Sequence, residues 1–196
     1  MEYDVVVVGG GPSGLATAIK FAQLNKQNGT DYSICLLEKG SEIGAHILSG
    51  NVFQPNALDE LIPNWKELNA PLNVPVTKDK IYYLLKNIGI PVPPFVMPNL
   101  NNHGNYVISL GNLCRWLGEQ AENLGVEVFP GFPASKLIFE NDEVVGVQTG
   151  DMGVSESGEL KPGHELGIEI KAKMTILGEG CRGHLGKQII NKFNLS

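Results

Sequence analysis

Two glycine-rich stretches carry the residues best suited to chemistry. The first, Gly9-Gly10-Gly11-Pro12-Ser13-Gly14, follows the apolar run Val5 to Val8. Gly-x-Gly-x-x-Gly between a strand and a helix is a dinucleotide fingerprint. Gly9 permits the tight turn, Gly11 lets the backbone approach a pyrophosphate, and Gly14 allows close helix–strand packing. The opening turn of the helix then offers unpaired N–H groups and a positive dipole end to the phosphates. Pro12 stands where no donor is lost, and Ser13 adds a hydroxyl. Glu38 lies 24 residues past Gly14, at the end of a second apolar run, where a carboxylate accepts from ribose hydroxyls. No Arg follows Glu38 to pair a 2′-phosphate, which leans away from NADP; this unit alone does not separate FAD from NAD.

The second stretch, Gly178-Glu179-Gly180-Cys181-Arg182-Gly183, fails as another fingerprint. Glu179 inside the turn would repel a diphosphate, and only 13 residues follow Gly183, too few for a helix, a strand and an acid. It reads better as a strand end brought beside the ligand of the first motif. There the Glu179 carboxylate is placed to accept from the ribityl hydroxyls of FAD, with Gly180 letting backbone pack close. NAD has no such chain, so this stretch favours FAD. Both motifs then serve one dinucleotide.

These motifs need a sheet to hold them. Residues 3–8, 34–38, 126–129 and 174–177 read as buried strands. Helices are expected over 15–24, over 110–124 with Ser109 as N-cap and Gly125 as stop, and from about Gly183. The alternation over 135–150 around Asn141-Asp142 predicts a hairpin. The stretch 44–98 is broken by glycine and proline and is expected to hold short helices, one starting at Pro55. A polar loop is expected over 151–164, followed by residues 166–171. The fold class is therefore α/β: a doubly wound, Rossmann-like FAD-binding sheet with an antiparallel β insertion at 135–171.

Composition narrows the function. With 15 Lys and Arg against 21 Asp and Glu, the net charge of −6 argues against a nucleic-acid surface. No apolar run approaches the ~20 residues that span a bilayer. No leader is expected, because strand one begins almost at Met1. Cys35, Cys114 and Cys181 lack any CxxC spacing and read as reduced thiols. No metal-ligand spacing and no nucleophile–base pair emerges, so neither a metal site nor a catalytic side chain is assigned. His46 and His103 are candidate proton carriers, although a lone His in a glycine-rich loop is more often structural. Trp65 and Trp116 read as core, and Arg115 as a solvated helix face.

The segments "VVVVGGGPSGLATAI", "LLEKGSEIGAHILSG", "PNWKELNAPLNVPVT", "MPNLNNHGNYVISLGNL", "WLGEQAENLGVEVFPG" and "TILGEGCRGHLGKQIINKFNL" resemble the electron-transfer flavoprotein–ubiquinone oxidoreductase family. The similarity runs over essentially all 196 residues, and "IGAHILSG" and "NNHGNY" are specific to that family. The resemblance implies a glutathione-reductase/hydroxylase-type FAD domain in a monotopic enzyme of the inner membrane, on the bacterial cytoplasmic face or in mitochondria. Such an enzyme passes electrons from reduced electron-transfer flavoprotein through FAD and a [4Fe-4S] cluster to ubiquinone. The expected cofactor-binding set is Val8, Gly9, Gly11, Pro12, Ser13, Gly14, Glu38, Lys39, Gly44, His46, Gly178, Glu179 and Gly180. Residues 43–64 match a stretch that dips into the membrane surface. Family members run to several hundred residues, so residues 1–196 are expected to be an N-terminal portion, incomplete at the C-terminus, with cluster and quinone site in the remainder. A bacterial source is expected from the early start of strand one. One departure is Ser109 before Leu-Gly-Asn-Leu, where the family has Arg before Leu-Gly-His-Leu. Disulfide reductases are excluded, since no CxxxxC follows Glu38. A soluble FAD-dependent hydroxylase, a prenyl reductase and a non-catalytic dinucleotide-binding module stay open as alternatives.

Overall fold

The computed structural model describes residues 1–97, 100–154 and 159–195. Contacts divide the chain into two units: Met1–Ile47 with Cys114–Ser196, and Leu48–Leu113.

The first unit is built on a six-stranded sheet of order β8-β2-β1-β13-β10-β9. β1 (Glu2–Val8), β2 (Ile34–Glu38), β8 (Glu127–Pro130) and β13 (Glu169–Leu177) run parallel, whereas β9 (Ala134–Glu140) and β10 (Glu143–Thr149) are the predicted antiparallel hairpin. Asn141 and Asp142, at φ 47° and 66°, make its two-residue turn. β1 is the middle of the layer, so Val5 to Val8 are buried on both faces, and an unbroken β-branched run suits that place. Val6 and Val8 join Cys35, Leu37, Val147, Ile170 and Leu185 in a cluster on one face.

The opposite face receives α1 (Pro12–Asn28), which packs on β1 and β2. Its buried residues Leu15, Ala18, Ile19 and Ala22 recur at helical spacing, which aims one apolar stripe at the sheet. The helix runs past the predicted end at 24. Lys26 and Gln27 are solvent-facing rather than helix-breaking, and the stop is Gly29 at φ 65°, whose N–H bonds the Asn25 carbonyl. α4 (Leu185–Phe193) packs against β9. β13 is one nine-residue strand rather than the two expected pieces, because it pairs with β1 along its length and with β10 at its start. The loop predicted over 151–164 contains β11 (Met152–Val154) and β12 (Leu160–Glu165), paired antiparallel; 155–158 lie outside the described residues.

The second unit departs most from expectation. Among the described residues of the predicted stretch, only α2 (Asn56–Leu61) forms as an α-helix, with Pro55 at its N-cap. The rest includes β3 (Ser49–Phe53), β4 (Val74–Pro75), β5 (Ile81–Leu84) and β6 (Gly89–Val92). β3 and β4 flank β7 (Tyr106–Ser109) in a three-stranded sheet, and β5 and β6 form a separate hairpin. These strands are short, carry Gly50 and Pro91 inside, and expose both faces, so no two-residue alternation marks them. Trp65 is buried as expected, its Nε1 donating to Asp59 Oδ1 at 2.7 Å, and its ring meets Tyr106 edge to face. The division between units falls inside α3 (Leu110–Asn123), where Cys114, Trp116, Leu117 and Ala121 are buried. Ser109 caps it weakly, accepting from the Asn112 N–H at 3.4 Å.

Candidate functional site

Four glycines meet where β1, α1 and β13 converge, and they are glycine for different reasons. Gly9 has φ 107°, and a Cβ there would overlap the Gly178 carbonyl. A Cβ on Gly14 would overlap the Gly9 carbonyl oxygen. On Gly178 it would stand 3.1 Å from Gly14 Cα and 3.2 Å from the Val8 oxygen. The Gly178 N–H donates to Val8 O at 2.7 Å, and the Gly9 N–H to Leu37 O at 2.8 Å. The protein's own backbone therefore requires Gly9 and Gly14 and leaves Gly178 little room for a side chain. Gly11 is the exception. Its φ of −81° and ψ of 178° suit any residue, and nothing lies within 4 Å of where its Cβ would be.

That open space adjoins the start of α1. Gly11 is the N-cap without a side-chain acceptor, Pro12 takes the first helical position, and the first turn holds no acidic residue. The early amides at Ser13 and Gly14 are left for an outside acceptor, and the helix dipole favours a negative one. Glu38 is half-buried beside the same loop. Its Oε2 accepts from the Gly10 N–H at 2.8 Å and its Oε1 from the Gly40 N–H at 2.7 Å. Two amides thus hold the carboxylate in place while leaving acceptor capacity on both oxygens. The segment after it is tied down in turn: Gly131 N–H donates to Gly40 O at 2.7 Å and Phe132 N–H to Glu38 O at 3.0 Å. Lys39 is exposed, Gly44 takes φ 88°, and the exposed His46 ring lies beside Gly40.

Glu179 is held by amides of the protein itself. Its Oε1 accepts from the N–H groups of His184 and Leu185, and its Oε2 from that of Gly186, each at 2.9 Å. It caps α4 from across the 3-10 turn Gly180–Arg182. The sequence hid this because the acid precedes the helix by six residues, outside the usual capping spacing. What β13 delivers beside the glycine loop is backbone.

Cys35 and Cys114 are buried thiols, held protonated. Burial, then the Glu127 charge, pushes Cys35 up to about 12, and burial, then Glu38, does the same for Cys114. Cys181 is exposed. Among the described residues, no group of three or more His, Cys, Asp or Glu is placed to hold a metal ion. Arg115 is half exposed and pairs with Glu42 at 3.2 Å.

The second unit holds a surface that sequence reading missed. The β5–β6 hairpin and the turn after it expose Tyr83, Leu84, Ile88 and Phe95, with Leu84 at 78% and Phe95 at 82%. By contrast, Ile43, Leu58 and Ile62 of the expected membrane segment are buried, although Leu48 and Val52 are exposed. No described helix is long and apolar enough to cross a membrane. A cavity of about 310 Å³ is also in this unit, lined by Val76, Ile81, Val92, Met97, Leu100 and His103 among others. It contains none of the glycine-motif residues.

Residues 7–66 match the NAD(P)-binding Rossmann-like domain model. Solved structures share the fold. A geranylgeranyl bacteriochlorophyll reductase-like protein from Thermoplasma acidophilum superposes with a TM-score of 0.68 at 24% identity, over 95% of this chain and 41% of that one. The p-nitrophenol 4-monooxygenase of Pseudomonas putida gives 0.62 at 18% identity, over 100% and 44%. Sequence relatives are much nearer. The chain is 56% identical to the electron transfer flavoprotein-ubiquinone oxidoreductase of Pseudomonas aeruginosa, over 100% of this chain and 36% of that protein. The mitochondrial proteins of that name from Bos taurus and Arabidopsis thaliana are 51% and 49% identical, over 99% and 100% of this chain and 32% and 30% of theirs. The chain thus spans about a third of the length of these relatives. Along its whole length it is similar to the N-terminal portion of proteins named electron transfer flavoprotein-ubiquinone oxidoreductase, as the resemblance in its sequence implied.

Proposed function

We propose that the first unit binds FAD and serves an oxidoreductase that takes electrons from reduced electron transfer flavoprotein and delivers them to ubiquinone. One observation carries the dinucleotide: Gly11 is glycine with no backbone or packing reason, over open space at the first turn of α1, near the loop that Glu38 holds. A pyrophosphate against that backbone supplies the missing reason. The amides at Ser13 and Gly14 would hold the phosphates, and Glu38, fixed by Gly10 and Gly40, would accept from the ribose. The Gly178–Gly180 backbone would border the rest of the dinucleotide. When bound, the flavin exchanges electrons one or two at a time; this chain's residues orient it and set its surroundings. The donor and acceptor rest on the names of relatives about 50% identical.

Contact with a membrane surface fits the same reading, and it is better assigned to the β5–β6 hairpin than to residues 43–64. Exposed Tyr and Leu side chains with Lys86 at the tip suit an interfacial, non-spanning contact. The [4Fe-4S] cluster belongs to the length that relatives have beyond this match.

The test follows flavin absorbance in the intact protein on mixing with reduced electron transfer flavoprotein, then with a short-chain ubiquinone. The reading expects bleaching in the first step and recovery in the second. Bleaching by NAD(P)H instead would place the protein with the hydroxylases and prenyl reductases.

A further inference from the structure

Ile43 sits between two glycines of different elements, and neither the cofactor contacts nor the relatives' names account for it. Its Cδ1 would stand 2.5 Å from a Cβ on Gly10, so it rests directly on the glycine loop. Behind it, its Cγ1, Cγ2 and Cβ would lie 3.4, 3.6 and 3.7 Å from a Cβ on Gly118 of α3. The side chain is 8% exposed. Its neighbour Glu42 is tied to α3 by the 3.2 Å pair with Arg115, and the Glu42 carbonyl accepts from the Ala45 N–H at 3.3 Å. The apolar wedge thus has a fixed back wall and one atom against Gly10.

Gly10 is the loop residue whose N–H binds Glu38 Oε2 at 2.8 Å. We propose that Ile43 is a positioning residue of the dinucleotide site. Backed by α3, its Cδ1 props Gly10 so that the loop holds its shape and the Gly10 N–H stays aimed at Glu38. The inference rests on the FAD reading and extends it to a side chain that touches no part of the cofactor. It also predicts which atom matters. Ile43→Val removes Cδ1 and keeps the groups facing Gly118, whereas Ile43→Leu restores a δ carbon.

The experiment measures FAD affinity of the apo form of the intact protein, with hydrogen exchange of the Gly10 amide and melting temperature read in parallel. Ile43→Val is expected to weaken FAD by about 2- to 12-fold, the range that losing one buried methyl produces. Gly10 amide exchange should rise with it, while exchange across β1 and β13 stays unchanged. Ile43→Leu should recover affinity. Unchanged affinity and Gly10 exchange in Ile43→Val would overturn the proposal. So would a uniform rise in exchange across the sheet, which marks general loosening. If the unaltered protein bound no FAD, the cofactor reading itself would fall, and slower Gly10 exchange in unaltered protein than in Ile43→Val would still identify the wedge.

Discussion

Gly11→Val separates the ligand's requirements from the fold's. At φ −81° and ψ 178° a β-branched residue is unstrained, and no atom lies within 4 Å of the new Cβ. Replacing an N-cap glycine by an apolar residue costs up to about 1.5 kcal/mol. The reduced freedom of the unfolded chain returns about 0.4–1 kcal/mol. The net change is within about 1 kcal/mol, or roughly 2–4 °C in melting temperature for a chain of this size. The ligand meets a different balance. An isopropyl group would occupy the pyrophosphate's place and part it from two first-turn amides, each worth about 1.5–3 kcal/mol to a charged group. FAD affinity should fall by about 10²- to 10⁴-fold. Thermal melting and flavin titration of the same preparation make the assay. Unaltered FAD affinity would refute the placement of the pyrophosphate. A fall in melting temperature beyond about 10 °C would show that the fold needs this glycine after all.

Glu179→Ala should destabilise the protein by about 1.5–3 kcal/mol in urea unfolding, since three amides at α4 lose a charged acceptor. It should weaken FAD and ADP equally; a loss confined to FAD would return the carboxylate to the ribityl chain. Tyr83→Ser with Leu84→Ser should reduce vesicle co-sedimentation about tenfold with little change in melting temperature, because both side chains are largely exposed. Binding that survives this pair and vanishes in high salt would assign the contact to charge. A thiol reagent at neutral pH should modify Cys181 alone, leaving the buried Cys35 and Cys114 protected until unfolding. Both buried thiols titrate near 12 in the fold against 9.0 ordinarily, so their contribution to stability is whole below pH 9 and is lost as pH rises towards 12. A urea midpoint that stays flat from pH 9 to 11 would contradict this.

The parallel sheet was legible because its residues obey one environment. A strand buried on both faces needs an unbroken apolar run, and Val5 to Val8 and Ile34 to Leu37 supply it. The glycine loop was legible because its glycines have separate steric tasks at fixed offsets. The β5–β6 hairpin was not, because its apolar residues face outward and no alternation distinguishes strand from loop. The capping role of Glu179 was not, because the chain folds back through a 3-10 turn, which brings its carboxylate to amides five to seven residues on. Spacing along a sequence cannot show such a return. The roles of Glu38 and Ile43 differ in the same way. An acid ending a strand after the fingerprint is recognisable from its place, whereas a wedge between Gly10 and Gly118 joins residues that only the fold brings together.

The most direct test is to release and identify what the purified intact protein carries, by denaturation, chromatography and mass measurement, alongside its visible spectrum. The expected result is a yellow protein that yields stoichiometric FAD, and a Gly11→Val form that is folded and colourless. A colourless unaltered protein that takes up NAD in the glycine loop in place of FAD would contradict it.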